Sequence, residues 1–162
     1  ATGDWLLFVD ADSLPSRDLI VETTEALGSG RVLAGGATVE FETRDRLVRF
    51  WLALWNTTSR LMRWAAGSYI FVEAAAFREA GGFSESLYAG EELDLFRRLK
   101  RMARRRGLRI AILHRHPLRT SDRKARLYRW HEHLGFLLKT LLTGGRTLRR
   151  REDCAVWYDG RR

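Results

Sequence analysis

Cysteine is almost absent. Cys154 stands alone, which excludes an internal disulfide and makes a reducing compartment the simpler expectation. Proline occurs only twice, and with 45% hydrophobic residues and six Trp the composition is that of a globular chain, not a disordered one. No signal peptide opens the sequence, and no run of 18 or more uncharged apolar residues exists, so no membrane-spanning helix is expected. Internal repeats and low-complexity segments are also missing. The 162 residues suit one domain, with residues 1–113 forming sheet and active site and 114–162 a basic helix and tail. Ala1-Thr2-Gly3-Asp4 runs directly into an apolar strand, without Met or an earlier element, which predicts an N-terminally truncated domain.

Charge is present in quantity and unevenly placed. Residues 1–95 carry 8 Lys/Arg and 15 Asp/Glu, a net of −7; residues 96–162 carry 21 and 5, a net of +16. An acidic half beside a basic half suits a metal-phosphate substrate or an anionic surface such as nucleic acid or lipid headgroups. It suits a merely soluble Arg-rich surface equally well.

The chain is organised around Trp5–Ser16, WLLFVDADSLPS. Five apolar residues bounded by turn residues predict a buried, parallel-type strand. Asp10 and Asp12 then sit at its C-terminal end, where open α/β sheets place their ligand crevices. Alternate residues of an extended backbone point the same way, so both carboxylates can converge on one hard cation, Mg²⁺ or Mn²⁺. The plainer reading is an ordinary Asp/Ser turn before a helix.

Elements alternate after that. A helix is expected over Ser16–Leu27 with Ser16 as cap, then a strand over Arg31–Phe41 with a bulge or bend at Gly35-Gly36. Asp45 to about Ala65 predicts a helix in which Arg46, Arg49, Ala53, Asn56, Arg60 and Arg63 form a polar stripe. Leu47, Phe50, Trp51, Leu54, Trp55, Leu61 and Trp64 flank it, the pattern of an interfacial helix or of one packed on a sheet. Asn56-Thr57-Thr58 matches a glycosylation acceptor, dismissed inside a helix of an intracellular chain. Gly67–Val72 predicts a strand, Glu73–Ala80 a short helix closed by Gly81-Gly82, and Phe83–Gly90 a loop. Glu91 to about Arg105 predicts a helix with acids first and cations last. Arg109–Leu113 predicts a strand leading into a loop with His114, His116, Arg119, Arg123 and Lys124, and Ala125–Leu142 a last helix. The order predicts a layered α/β sheet. Glu91 and Glu92, at a helix start behind a glycine turn, can accept a proton from a substrate hydroxyl; as first-turn acids they are also ordinary dipole partners. Asp94 is expected to pair with Arg97 or Arg98.

FVDADS, AGSYIFVEAAAFREAGGF and AGEELDLFRRL, in this order, resemble the family 2 glycosyltransferases of the GT-A fold, over about residues 3–100. TSDRKARLY and WYDGRR are more loosely similar to some bacterial members. The resemblance implies a GT-A (Rossmann-like) layered sheet, N-terminally truncated, with a helical C-terminal extension. It implies metal-dependent, inverting sugar transfer from a nucleotide-diphosphate sugar to a hydroxyl of a glycan or lipid-linked acceptor. Asp10 would contact the donor, Asp12 the Mn²⁺ or Mg²⁺, and Glu92 or its neighbour Glu91 would be the base. This chain has Glu-Glu where the family commonly has Glu-Asp, and the family's first base-binding units are absent. Arg119, Arg123 and Lys124 would close over the departing diphosphate or form a solvated basic turn, His116 or His114 would be a third metal ligand or an ordinary packed or surface residue, and Ser68 and Tyr69 would line the acceptor cleft or be buried strand residues. The implied setting is cytoplasmic, with peripheral contact to the inner membrane face and no nucleic acid.

Two other readings compete. FVDADSL also resembles the aspartyl-nucleophile loop of haloacid-dehalogenase phosphatases, but the later Lys and strand-end acid motif of such enzymes are not found. The basic runs 97–109 and 146–151 alternatively suit a non-catalytic module on nucleic acid or membrane, although no nucleic-acid motif accompanies them.

Overall fold

The computed structural model describes residues 1–87 and 90–120. It is a mixed α/β fold with one five-stranded sheet and helices on both faces. In chain order the elements are β1 (Trp5–Val9), β2 (Ser13–Leu14), α1 (Arg17–Gly28), β3 (Val32–Phe41), α2 (Arg46–Met62), β4 (Tyr69–Glu73), α3 (Ala74–Glu79), α4 (Glu91–Arg105) and β5 (Arg109–Thr120). The strands lie in the order β1-β4-β3-β5-β2.

β1 departs from expectation. It is an edge strand paired antiparallel with β4, and Leu7 and Val9 are 47% and 38% exposed. Since β4 is also antiparallel to β3, β1 runs the same way as β3 and β5. Asp10 therefore still lies at the end of the sheet where β3 and β5 finish, although β1 has no parallel neighbour.

Alternation along β4 separates the two cores. Ile70 and Val72 face α3 and α4, packing with Leu95, Phe96, Leu99 and Ala76. Tyr69 and Phe71 face the other side with Leu19 of α1, Val39 and Leu118. α1 starts on Ser16, whose hydroxyl accepts from Leu19 N at 3.1 Å. α2 starts on Asp45, which accepts from Leu47 N at 2.8 Å. Both caps satisfy amides that the first helical turn leaves without intrahelical partners.

Two further expectations need correction. β3 keeps its register through Gly35 and Gly36, and its irregularities fall at Val32/Ala34 and Ala37/Val39. The glycines are there for lack of room: a Cβ on Gly35 would strike Ala111 O and the Phe71 ring, and one on Gly36 would lie 2.8 Å from Tyr69 O. β5 also runs on to Thr120, beyond the expected Leu113. Between Leu113, opposite Ala37, and Leu118, opposite Val39, the His114–Pro117 segment bulges out of the ladder. Arg119 is thus a strand residue opposite Leu14, not a loop residue. The expected helix over Ala125–Leu142, and the tail after it, lie outside the described residues.

Candidate functional site

Three elements hold the acid loop at the end of β1. Asp10 N donates to Ser68 O at 3.2 Å, tying the loop to the start of β4. Ser13 N donates to Asp10 O at 3.0 Å and closes a turn. Ser13 and Leu14 then pair with Thr120 and Arg119, and Ser13 Oγ donates to Thr120 Oγ1 at 2.9 Å. The turn the sequence suggested is present, and the sheet holds both of its ends, Asp10 through Ser68 and Ser13 through the short strand β2.

Asp10 and Asp12 open onto a cavity of about 330 Å³ walled by Ser68, Thr120, Trp51, Trp55 and Phe41. Carboxylates line one side and α2 supplies an aromatic wall on another. The paired acids are exposed and their donors are all oxygen. That chemistry fits a hard cation such as Mg²⁺ or Mn²⁺, which keeps water and substrate phosphate oxygens as its other ligands. Among the described residues no three His, Cys, Asp or Glu side chains form a metal-holding group. His116, half-buried in the β5 bulge, is therefore not gathered with Asp10 and Asp12 into a three-ligand site.

The second acidic patch approaches the same place. Among the described residues, a Cβ on Gly67 would meet only the Glu92 carboxyl within 4 Å, with Cδ and Oε1 both 3.9 Å away. Gly67 adjoins Ser68, whose carbonyl holds Asp10. The two acidic patches thus approach adjacent residues of the chain. Glu92 stands in the first turn of α4 behind Gly90, which has φ +71° and no Cβ to oppose that conformation. Asp94, on the next part of the turn, pairs with Arg97 and Arg98, each at 2.9 Å, as the i,i+3 and i,i+4 spacing predicts. Arg98 also donates to Ala80 O, so α4 is bound to the end of α3 just before Gly81-Gly82. Gly82 N donates back to Phe77 O at 3.0 Å, and Phe83 then packs edge-on against Phe8 at 5.2 Å between ring centroids. Phe77 completes the cluster, 5.3 Å from Phe8. Since Phe8 lies two residues before Asp10, these rings connect the GGF turn to the acid loop.

Not every expected site residue reaches the cleft. Ser68 does, lining the cavity with the acids. Tyr69 does not: it is fully buried on the α1 side, its hydroxyl 2.8 Å from that of Thr23. It supports the cleft and does not line it. Arg123 and Lys124 lie outside the described residues. Sequence reasoning missed Thr120, Trp51 and Trp55 as cavity walls, because their placement depends on β5 and α2 meeting over β3. Asn56, expected in the polar stripe of α2, instead clamps β3: its amide donates to Val39 O at 2.9 Å and accepts from Val39 N at 3.0 Å.

Burial raises the Tyr69 phenol above its usual value of 10.0, and the Thr23 hydrogen bond offsets part of that rise. The folded protein thus keeps this proton at a pH where the unfolded chain has lost it. Stability contributed by the neutral phenol is lost as pH rises above about 10. Tyr69→Phe should cost about 1 kcal/mol at neutral pH through the lost hydrogen bond and flatten the alkaline loss of stability. Urea unfolding at pH 7 and above pH 10 measures both.

A second hollow, of about 510 Å³, opens at the opposite end of the sheet near Trp5, Val32 and Glu73, away from both acidic patches. No family model and no curated protein matches this chain.

Proposed function

We propose that this chain carries the catalytic and acceptor site of a metal-dependent, inverting glycosyltransferase of the family 2, GT-A type. The observation that carries the reading is the closeness of the two acidic patches at Gly67-Ser68: Asp10 N donates to Ser68 O, and the Glu92 carboxyl lies 3.9 Å from where a Cβ on Gly67 would stand. A strand-end acid pair and a separate carboxylate beside one cleft are the parts a direct sugar displacement needs. The haloacid-dehalogenase alternative leaves the second patch without a task.

In this reading Asp10 and Asp12 hold the Mn²⁺ or Mg²⁺ together with the donor diphosphate. The cation, when bound, neutralises charge on the departing diphosphate. Glu92 takes the proton of the acceptor hydroxyl as its oxygen bonds to the anomeric carbon and the sugar–diphosphate bond breaks on the opposite face. Ser68 lines the acceptor path, and Trp51 and Trp55 offer flat apolar surface on which a sugar ring or acyl chain can lie. Arg119, at the far end of β5, stays near the acid loop through its pairing with Leu14. The test is a screen of nucleotide-diphosphate sugars with Mn²⁺, scored by nucleotide release, on the full 162-residue chain. Metal-dependent release from one donor class is expected. Release from none, or phosphate release from simple monoesters, would overturn the proposal.

A further inference from the structure

α2 carries more apolar surface than the fold uses. Val48, Leu52 and Trp55 turn toward the sheet and the cavity. Leu47, Phe50, Trp51, Leu54, Leu61 and Met62 remain outside, 42% to 75% exposed. At about 100° per residue these six fall within an arc of about 120°. Arg46, Arg49 and Arg60 occupy the adjoining sector, and Arg63 ends the helix with φ +52°. A contiguous apolar stripe of this kind, bordered by cations, marks a surface that meets something.

Charge decides among the candidates. No ion pair among the described residues involves Arg46, Arg49, Arg60 or Arg63. At the end of α2, Lys100 of α4 donates to Met62 O and lies 5.3 Å over the Trp64 ring. Partial burial, then the neighbouring Arg104 and Arg63, push its ammonium below the usual lysine range, so cations crowd there without anionic relief. A second copy of a chain with net charge +9 would bring like charge to this face. Residues 121–162 would also, with eleven Lys/Arg against five Asp/Glu. An anionic lipid surface offers both an apolar interior for Phe50, Trp51 and Leu54 and headgroup phosphates for the arginines. No helix among the described residues is long and apolar enough to cross a membrane, so the geometry is that of a helix lying in the interface.

We propose that the outer face of α2 docks the protein on an anionic membrane surface, with Leu47, Phe50, Trp51 and Leu54 entering the acyl boundary and Arg46, Arg49, Arg60 and Arg63 binding headgroup phosphates. Trp51 also walls the cavity of Asp10 and Asp12, so the bound membrane lies beside the mouth of that cavity. Only the consequence that a lipid-linked acceptor is presented there rests on the glycosyltransferase reading; the docking does not.

The test is vesicle sedimentation of the full chain without any donor, so its outcome is separate from that of the transfer assay. Vesicles of phosphatidylcholine with about one-third phosphatidylglycerol should bind at least about tenfold more protein than phosphatidylcholine alone, and high salt should weaken the binding. The triple variant L47Q/F50Q/L54Q, at largely exposed positions, should lose about tenfold, with circular dichroism and melting unchanged. A second variant, R46Q/R49Q, should lose binding to anionic vesicles through charge alone. Brominated acyl chains should quench tryptophan emission in the wild type and less in Trp51→Phe. Equal binding by all variants overturns the proposal, as does loss of binding only in R149Q/R150Q/R151Q. Self-association that the triple variant abolishes, without vesicle binding, would give the face to a second copy and also overturn it.

Discussion

Replacing Glu92 by Gln is expected to lower nucleotide-sugar turnover by about 10²–10⁴-fold, the usual contribution of a positioned general base. The substitution keeps the side chain's size and removes its ability to take a proton. Glu91→Gln is expected to stay within about tenfold of wild type, since adjacent helix residues point about 100° apart and it is the Glu92 carboxyl that lies 3.9 Å from where a Cβ on Gly67 would stand. The pair of variants thus resolves which of two neighbouring carboxylates is the base. Asp12→Ala should remove the dependence on Mn²⁺ together with the activity, and weaken Mn²⁺ binding measured without substrate. Turnover that survives both Glu92→Gln and Asp12→Ala would dismiss the site. A large loss in Glu91→Gln alone would move the base by one residue and keep the rest.

The largest expected change in stability comes from a methyl group. Gly35→Ala places a Cβ against the backbone oxygen of Ala111 on one side and the Phe71 ring on the other. Gly36→Ala meets Ala65 Cβ and lies 2.8 Å from Tyr69 O. Overpacking usually costs about 1–3 kcal/mol, and here the obstacles include backbone of the neighbouring strands, so about 3 kcal/mol or more is expected for each. Domains of ordinary stability hold about 5–15 kcal/mol, so the double variant should be largely unfolded in guanidinium titrations. Gly28→Ala is the contrast: nothing lies within 4 Å of the added Cβ at the end of α1. A gain of up to about 1 kcal/mol is expected there, because glycine is the poorer helix former. If Gly35→Ala is as stable as wild type, β3 does not lie between β4 and β5 as described.

Most helices were legible in the sequence because their signals are local. Ser16 and Asp45 cap α1 and α2, and α4 begins and ends at Glu91 and Arg105 as its charge order suggests. Asp94 binds Arg97 and Arg98 because helical spacing leaves them no other arrangement so near. Strand neighbours were less legible. Five apolar residues in β1 look the same whether their partner runs parallel or antiparallel, and whether a second partner exists. Gly35-Gly36 looks like a bend in one dimension; only the approach of Phe71 and Ala111 reveals a straight strand short of space. Tyr69 looks as available as Ser68 beside it, yet Tyr69 opens β4 and is buried under α1, while Ser68 precedes the strand and lines the cavity.

The sequence by itself determined the acid pair at a strand end, the second acidic patch at a helix start, the alternation of strands and helices, and the excess of cations after residue 95. These depend on neighbours a few residues apart, where composition and periodicity act directly. Only the tertiary structure decided that the loop of Asp10 and the start of α4 with Glu92 both come up to Gly67-Ser68, that Thr120 secures Ser13, and that α2 leaves an apolar face exposed. Each of those is a contact between segments far apart in the chain. Strand order and the packing of helices on two sheet faces choose such contacts, and neither is written in any local stretch of residues.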